Sequence, residues 1–380
     1  MSDDDTPWPA PRDNADLVGH EESEAELAAA AEASRLPHAL LIAGPRGIGK
    51  ATLAHRLARH VLAAGGDSPA DGLGGGLGDG LFGEALDAGP EGDGQGLYLA
   101  PEHPVFRRTA AGGHSDLMVV ERGLNDRGKL RKDIVVDDVR GVGRFLSMTA
   151  AEGGWRVVII DSADEMNRNA ANAVLKVLEE PPTNTLMLLV GHNPGRLLAT
   201  IRSRCRRLDL RPLALETVIE LLGRYAPDLP PDEAARLAAL ADGSIGRALD
   251  LHGAGGLALF DEISGLVAGM PAINTPALHD LAGRVGRAGA DAAFVTALDL
   301  FRWWVRRLIL GRAAQRIDAA GADPAVAEAL GRLASNVDLG RLLAFRDQAE
   351  GWMARVDGLN MDRRQTVLNL FLGLAGAVRS

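Results

Sequence analysis

Nine residues from Gly44 to Thr52, GPRGIGKAT, carry the first recognisable chemistry of the sequence. A glycine-rich turn ending in Gly-Lys lets successive backbone N–H groups and a helix N-terminus surround phosphate oxygens, while the lysine ammonium reaches the terminal phosphates. Gly44, Gly47, Gly49, Lys50 and Thr52 are therefore the candidate nucleotide-binding residues. Asp161, which closes the β-branched run RVVIID, is their candidate partner, able to hold Mg²⁺ directly or through water. The alternative for Asp161 is a helix N-cap following a strand. The stretch TIRSRCRRL supplies a third group, Arg204. With Arg202, Arg206 and Arg207 it forms either a solvated basic surface facing DNA phosphate or an arginine finger, a guanidinium set against the γ-phosphate bound by a neighbouring subunit. The finger reading of Arg204 is preferred because SRC follows a strand and a turn.

Two positions argue against hydrolysis by the chain itself. A P-loop lysine is normally followed by a hydroxyl that ligates Mg²⁺, and here the residue is Ala51; Thr52 lies about 100° further round the helix and cannot take its place. The position after Asp161, where related ATPases keep a glutamate to polarise water, is Ser162. Such a site is expected to hold ATP or ADP with weakly bound Mg²⁺. Asp164 and Glu165 stand beyond the strand end and read as the opening of the next helix. His103, His114 and His192 are too separated to argue a metal site, and Trp303-Trp304 reads as helix-bundle core.

These groups need a scaffold, and the apolar pattern provides one. His38–Ala43, Leu117–Glu121, Arg156–Asp161 and Leu186–Val190 are short apolar runs that suit buried parallel strands. Between them lie stretches of helical spacing, including Lys50–Ala63, the stretch through Val139, Val142, Phe145 and Leu146, and a helix with Ala171, Val174, Leu175 and Leu178 on one stripe that Pro181-Pro182 stops. Strand–helix alternation from His38 to Leu210 predicts an α/β domain with a parallel sheet. Beyond Arg211-Pro212 the chain turns all-α, with apolar stripes such as Phe294, Leu298, Phe301, Val305 and Leu308. The expected division is a flexible tail over 1–15, an α/β core over 16–210, a small helical domain over 211–254 and a helical domain over 255–380. Within the core, 65–96 is Gly-rich, acidic and free of Lys and Arg, which reads as a mobile surface insertion. A basic connection, LNDRGKLRKDI, follows the second strand in hairpin-like form.

Composition narrows the function classes. A chain of 380 residues is long enough for two or three domains. Its net charge of −10 argues against a protein that coats nucleic acid with its whole surface, leaving only a local basic patch. A single cysteine, Cys205, excludes an internal disulfide framework and a cysteine-cluster metal site. The acidic, proline-bearing start MSDDDTPWPAPRD is not a secretory signal, and no apolar run is long enough to span a bilayer, so a cytoplasmic protein is expected.

The order GPRGIGKATLA, RVVIIDSADEMNRNAANAVLKVLEEPP, TIRSRCRRLDLRPL and GSIGRAL resembles the delta-prime subunits of bacterial DNA polymerase III clamp loaders, within the AAA+ family. The likeness runs from about Leu17 to Leu251 and extends in kind to the helical C-terminus. It implies an AAA+ P-loop core, a helical lid over 211–254 and a C-terminal collar over 255–380. It further implies a hetero-pentamer with delta and tau or gamma ATPase subunits that loads the sliding clamp onto primed DNA. Delta-prime subunits hydrolyse nothing themselves and offer the SRC arginine, matched here by Arg204, to the adjacent ATP. Such a chain is a non-catalytic subunit of a DNA-directed DNA polymerase. In GSIGRAL the arginine expected to touch the chain's own nucleotide falls on Gly246, with Arg247 one place late, so a plain helix N-terminus is expected there. The four-cysteine zinc module frequent in the family is missing, and no zinc is expected. Two rival readings stay open: an active gamma/tau-like ATPase and a DNA-binding module outside any loader.

Overall fold

The computed structural model describes residues 8–66, 96–125, 128, 130–152, 154–314, 324–359 and 362–379. The insertion expected over 65–96 lies, apart from its ends, outside the described residues. Two compact units divide the chain, Met1–Leu213 and Ala214–Ser380.

In the first unit, three strands whose every residue is buried make the centre of a sheet: β1 (Ala39–Ala43), β3 (Arg156–Ile160) and β4 (Thr185–Gly191), with β2 (Leu117–Val120) and β5 (Arg206–Asp209) at its edges. All pairings are parallel and the order is β2-β3-β4-β1-β5. β4 thus lies between the strand that feeds the glycine loop and the strand that ends at Asp161. Continuous apolar strands demand cover on both faces. On one face Leu40, Ile42, Val157, Ile159 and Leu188 pack with α1 (Glu21–Glu32) and α2 (Lys50–Gly66). On the other, Leu41, Val158, Ile160 and Leu189 pack with side chains that follow α3 (Pro104–Ala110) in the chain, from α4 (Val136–Ser147), α5 (Arg168–Glu179) and Ile201 of the short α6 (Ala199–Arg202).

The stretch Arg12–Ala15, expected as part of a flexible tail, is bonded to α2. Arg59 donates to Arg12 O at 2.5 Å and to Asn14 O at 3.1 Å, and Arg56 donates to Ala15 O. Glu24 of α1 accepts from Arg56 and from the Leu97 N–H, at 3.0 Å for the latter, which ties down the chain where it returns after the insertion. Periodicity could not reveal these bonds, because an arginine on a helix gives no sign of which distant carbonyl it will reach. The basic connection closes through one antiparallel bridge, Leu124 to Leu130.

The second unit is helical among its described residues: α7 (Leu215–Tyr225), α8 (Pro231–Leu240), α9 (Ile245–Gly253), α10 (Gly256–Ala268), α11 (Thr275–Val285), α12 (Asp291–Ala314), α13 (Pro324–Asn336), α14 (Leu339–Leu359) and α15 (Arg363–Ala377). The lid and collar boundary expected at 254/255 falls inside this unit. Trp303 and Trp304 are buried, as the stripe predicts, and both meet the Phe260 ring of α10. Asp242, just before α9, accepts from Arg307 at 2.7 Å and Arg306 at 3.3 Å on α12, and from Arg247 at 3.4 Å on α9. Its backbone is left-handed, with φ +51°, a conformation that Asp and Asn tolerate and Ala does not.

Thermal unfolding followed by circular dichroism tests this node. Asp242→Asn removes the charge and keeps the backbone preference, so a cost of about 1–2 kcal/mol is expected. Asp242→Ala adds roughly another 1 kcal/mol of backbone strain and lowers Tm further. Equal, unshifted transitions in both variants would contradict the assignment.

Candidate functional site

The site forms where β1, β3 and β4 end, because a parallel sheet brings its carboxyl ends to one side. Past Ala43 the chain turns on glycines in left-handed or extended-positive backbone: Gly44 at φ +151°, Gly47 at +74° and Gly49 at +101°. A Cβ on Gly44 would stand 2.5 Å from the Leu210 carbonyl oxygen, so no side chain fits there. The His20 ring nitrogen Nε2 lies 2.6 Å from Ile48 O and donates to it, bracing the loop from the α1 side.

Lys50 opens α2. It is buried, its Nζ donates to Pro45 O, and burial pushes its pKa down to about 8 although Asp161 and Asp164 pull it back up. Thr52 is buried in the same first turn, and the Ala51 side chain offers no oxygen. Asp161 is anchored through its N–H to Val120 O at 2.9 Å. Burial raises its pKa, against the Ser162 backbone, Lys50 and Arg46, which favour the carboxylate. The structure thus brings Gly44, Gly47, Gly49, Lys50 and Thr52 to the carboxyl end of β1 and sets Lys50 within electrostatic reach of Asp161.

Ser162 is left-handed, φ +59°, and its hydroxyl lies 3.1 Å from His192 Nε2 and 3.5 Å from Asp161 Oδ1. Burial first, then Lys50, pushes the His192 pKa down to about 4, so the ring is neutral at pH 7. Asp164 and Glu165 correct the sequence reading: they do not open α5. They belong to a 3-10 turn, Ala163–Glu165, and α5 starts later, capped by Asn167, whose side chain accepts from the Ala170 N–H at 2.9 Å. The buried Asp164 carboxylate accepts from the His192 N–H at 2.8 Å and the Asn193 N–H at 2.9 Å, which fixes the loop after β4 against the end of β3. Glu165 pairs with Arg122 at 2.9 Å. Sequence reasoning missed Asp164 and His192. A second carboxylate three residues past Asp161 was the one available signal for Asp164, and none pointed to His192.

Arg204 sits away from this cradle, between α6 and β5. Its Nη2 pairs with Glu179 Oε1 at 2.7 Å, its Nη1 donates to Thr200 O at 3.0 Å, and 34% of its side chain remains exposed. Of its neighbours, Arg202 folds over the Leu197 carbonyl at 2.8 Å, Arg206 pairs with Glu26 at 2.5 Å and Arg207 with Asp209 at 2.7 Å. Carboxylates beside Arg206 and Arg207 weaken any continuous cationic strip. Burial pushes the pKa of the Cys205 thiol, between Arg204 and Arg206, up to about 11, so it stays protonated. In the second unit, Ser244 caps α9 by accepting from the Arg247 N–H at 3.1 Å, the plain helix N-terminus expected for GSIGRAL. Among the described residues, no group of three or more His, Cys, Asp or Glu side chains is placed to hold a metal ion.

Residues 101–214, which include β2 to β5 and the Asp161 and Arg204 regions, match the model of a family described as DNA polymerase III, delta subunit. Over 218 residues the chain is 38% identical to DNA polymerase III subunit delta' of Pseudomonas aeruginosa. The chain resembles DNA polymerase III delta' subunits. The first match covers 57% of this chain and 56% of that relative; delta' of Escherichia coli K12 is 34% identical over 230 residues, 60% of this chain and 58% of the relative. DNA polymerase III subunit gamma/tau of Mycobacterium tuberculosis H37Rv is 31% identical over 215 residues, 56% of this chain and 31% of that one. This delta'-like chain therefore spans just over half the length of the delta' relatives it matches. Among its described residues no helix is long and apolar enough to cross a membrane.

Lys50 makes the electrostatics of the cradle measurable. Its folded pKa of about 8 lies below the ordinary value of 10.5, so between those pH values the unfolded chain binds more protons and stability rises with pH. Denaturant unfolding at pH 8 and pH 10.5 should show that rise in the wild type and a smaller one in Lys50→Met. Equal slopes would contradict a depressed Lys50 pKa.

Proposed function

We propose that this chain is a delta'-type subunit of a DNA polymerase III clamp loader, which holds ATP or ADP without turning it over and presents Arg204 to the ATP of an adjacent subunit. The observation that carries the reading is the contrast between the two ends of its own chemistry. The cradle keeps Lys50 and Asp161 but has Ala51 where a Mg²⁺-binding hydroxyl belongs and Ser162 where a water-polarising glutamate belongs. Arg204, by contrast, stands partly exposed before the amino end of β5, at the opposite end of the sheet from the glycine loop.

The chemistry asked of Arg204 is electrostatic. As water attacks the γ-phosphorus and the bond to the departing ADP oxygen breaks, negative charge spreads over the phosphoryl oxygens, and a guanidinium beside them lowers the barrier. In this reading Gly44, Gly47, Gly49, Lys50 and Thr52 surround the chain's own phosphates, and Asp161 faces a weakly held Mg²⁺. Zinc has no role. Residues 16–210 act as the AAA+ core, 211–254 as the lid and 255–380 as the collar that joins tau or gamma and delta subunits in a hetero-pentamer. Through that cytoplasmic complex the chain takes part in loading the sliding clamp onto primed DNA.

The isolated chain should show no multiple-turnover ATPase activity. Reconstituted with tau or gamma and delta, the complex should lose on Arg204→Ala the share of its DNA- and clamp-stimulated ATPase rate that comes from the adjacent site, whose own turnover should fall at least about a hundredfold. Clear turnover by the isolated chain would favour a gamma/tau-like ATPase, the rival that the gamma/tau similarity keeps in view. Salt-sensitive duplex binding by the chain alone, with no association with the other subunits, would favour a separate DNA-binding module.

A further inference from the structure

An arginine finger works only if its guanidinium is delivered to one place. Arginine has a long side chain that loses much rotamer freedom when fixed, so a finger left free in solvent would lose that freedom at the moment of reaction. Arg204 is not left free. Its backbone is set by the end of α6, where the Arg204 N–H donates to Ile201 O at 3.1 Å. Its terminal nitrogens are then held by two different helices, Nη1 by the Thr200 carbonyl of α6 and Nη2 by the Glu179 carboxylate of α5. Arg206 and Arg207 are each bound through a single carboxylate, and Arg202 through carbonyls of its own loop.

Glu179 is well suited to hold such a group. It is the last residue of α5, a helix capped by Asn167, stopped before Pro181-Pro182 and buried along Ala170, Ala171, Val174 and Leu178. The carboxylate therefore projects from an element fixed in the core of the first unit. A guanidinium carries five N–H donors, and Glu179 and Thr200 engage two of its nitrogens on the side of the chain itself. With 34% of the Arg204 side chain exposed, donors remain for an outside anion.

We infer that Glu179 is a positioning residue for Arg204, fixing the guanidinium so that its free N–H groups meet the phosphate of a nucleotide bound by an adjacent chain. This inference rests on the reading of Arg204 as a finger. At 34% and 49% side-chain exposure the charge of Glu179 is screened by water, so it does not neutralise the guanidinium and the geometric effect outweighs it. The oxygen as acceptor matters, rather than the charge.

Steady-state ATPase of the complex reconstituted with tau or gamma and delta, in the presence of clamp and primed DNA, tests this with kcat and KM for ATP measured separately. Glu179→Ala should lower kcat about three- to fivefold with KM unchanged, the scale of one exposed ion pair. Glu179→Gln keeps an acceptor oxygen at the same reach and should stay near wild type. Glu179→Asp keeps the charge but withdraws the oxygen by about one carbon–carbon bond, roughly 1.5 Å, and should fall as the alanine variant does. If the alanine variant fails to assemble, the Gln and Asp pair still decides. A kcat that rises in Glu179→Ala, or an Asp variant that equals wild type while Gln falls, overturns the positioning role. Wild-type kcat in all three Glu179 variants beside a large loss in Arg204→Ala also overturns it, leaving the finger intact. An unchanged rate in Arg204→Ala overturns the finger itself.

Discussion

A lysine buried at the start of α2, within the electrostatic reach of two carboxylates, governs the first unit. Lys50 is pushed toward neutrality by the dry turn that holds it, and Asp161 and Asp164, one at the end of β3 and the other three residues on, draw it back toward its charged form. Both residues are themselves anchored, Asp161 through its backbone N–H to the neighbouring β2 strand and Asp164 through its carboxylate, which accepts two N–H groups of the loop after β4. The glycine loop, the β3 end and the β4 end are therefore one electrostatic assembly. Phosphate oxygens would complete it by supplying the negative charge that a half-compensated lysine calls for.

The scaffold beneath this assembly was largely legible in the sequence, because burial on both faces leaves a mark that survives without context. The runs HALLIA, RVVIID and LMLLV carry apolar stretches without alternation, and each contains or lies within a strand wholly buried in the sheet. The edge strands are less clear: β5 reads RRLD and its residues are mostly exposed, so no apolar signature announces it. The glycine loop, Asp161 and the Ser244 cap were readable for a related reason, since local backbone geometry dictates those residue types.

What the sequence concealed depends on partners far apart in the chain. Asp164 looks like an acidic helix start, yet its carboxylate is committed to amides 28 and 29 residues away. His192 looks like any histidine, yet it is neutralised beside Lys50 and meets the Ser162 hydroxyl. The segment Arg12–Ala15 looks like an acidic, proline-bearing tail, and its carbonyls are taken by arginines more than 40 positions on. Asp242 gathers arginines from two helices in the same way. In each case a polar group finds its partner only after the helices have packed, and no period of 2 or 3.6 records the outcome.

The separation of the two charged groups gives the chain its proposed character, with Lys50 turned inward to its own cradle and Arg204 held by α5 and α6 at an exposed corner. The most direct measurement is a structure of the reconstituted complex bound to a non-hydrolysable ATP analogue and Mg²⁺. The account predicts the Arg204 guanidinium within hydrogen-bond distance, about 3 Å, of the γ-phosphate held by an adjacent subunit. An Arg204 that faces solvent or DNA, with another chain's arginine at that phosphate, would contradict it.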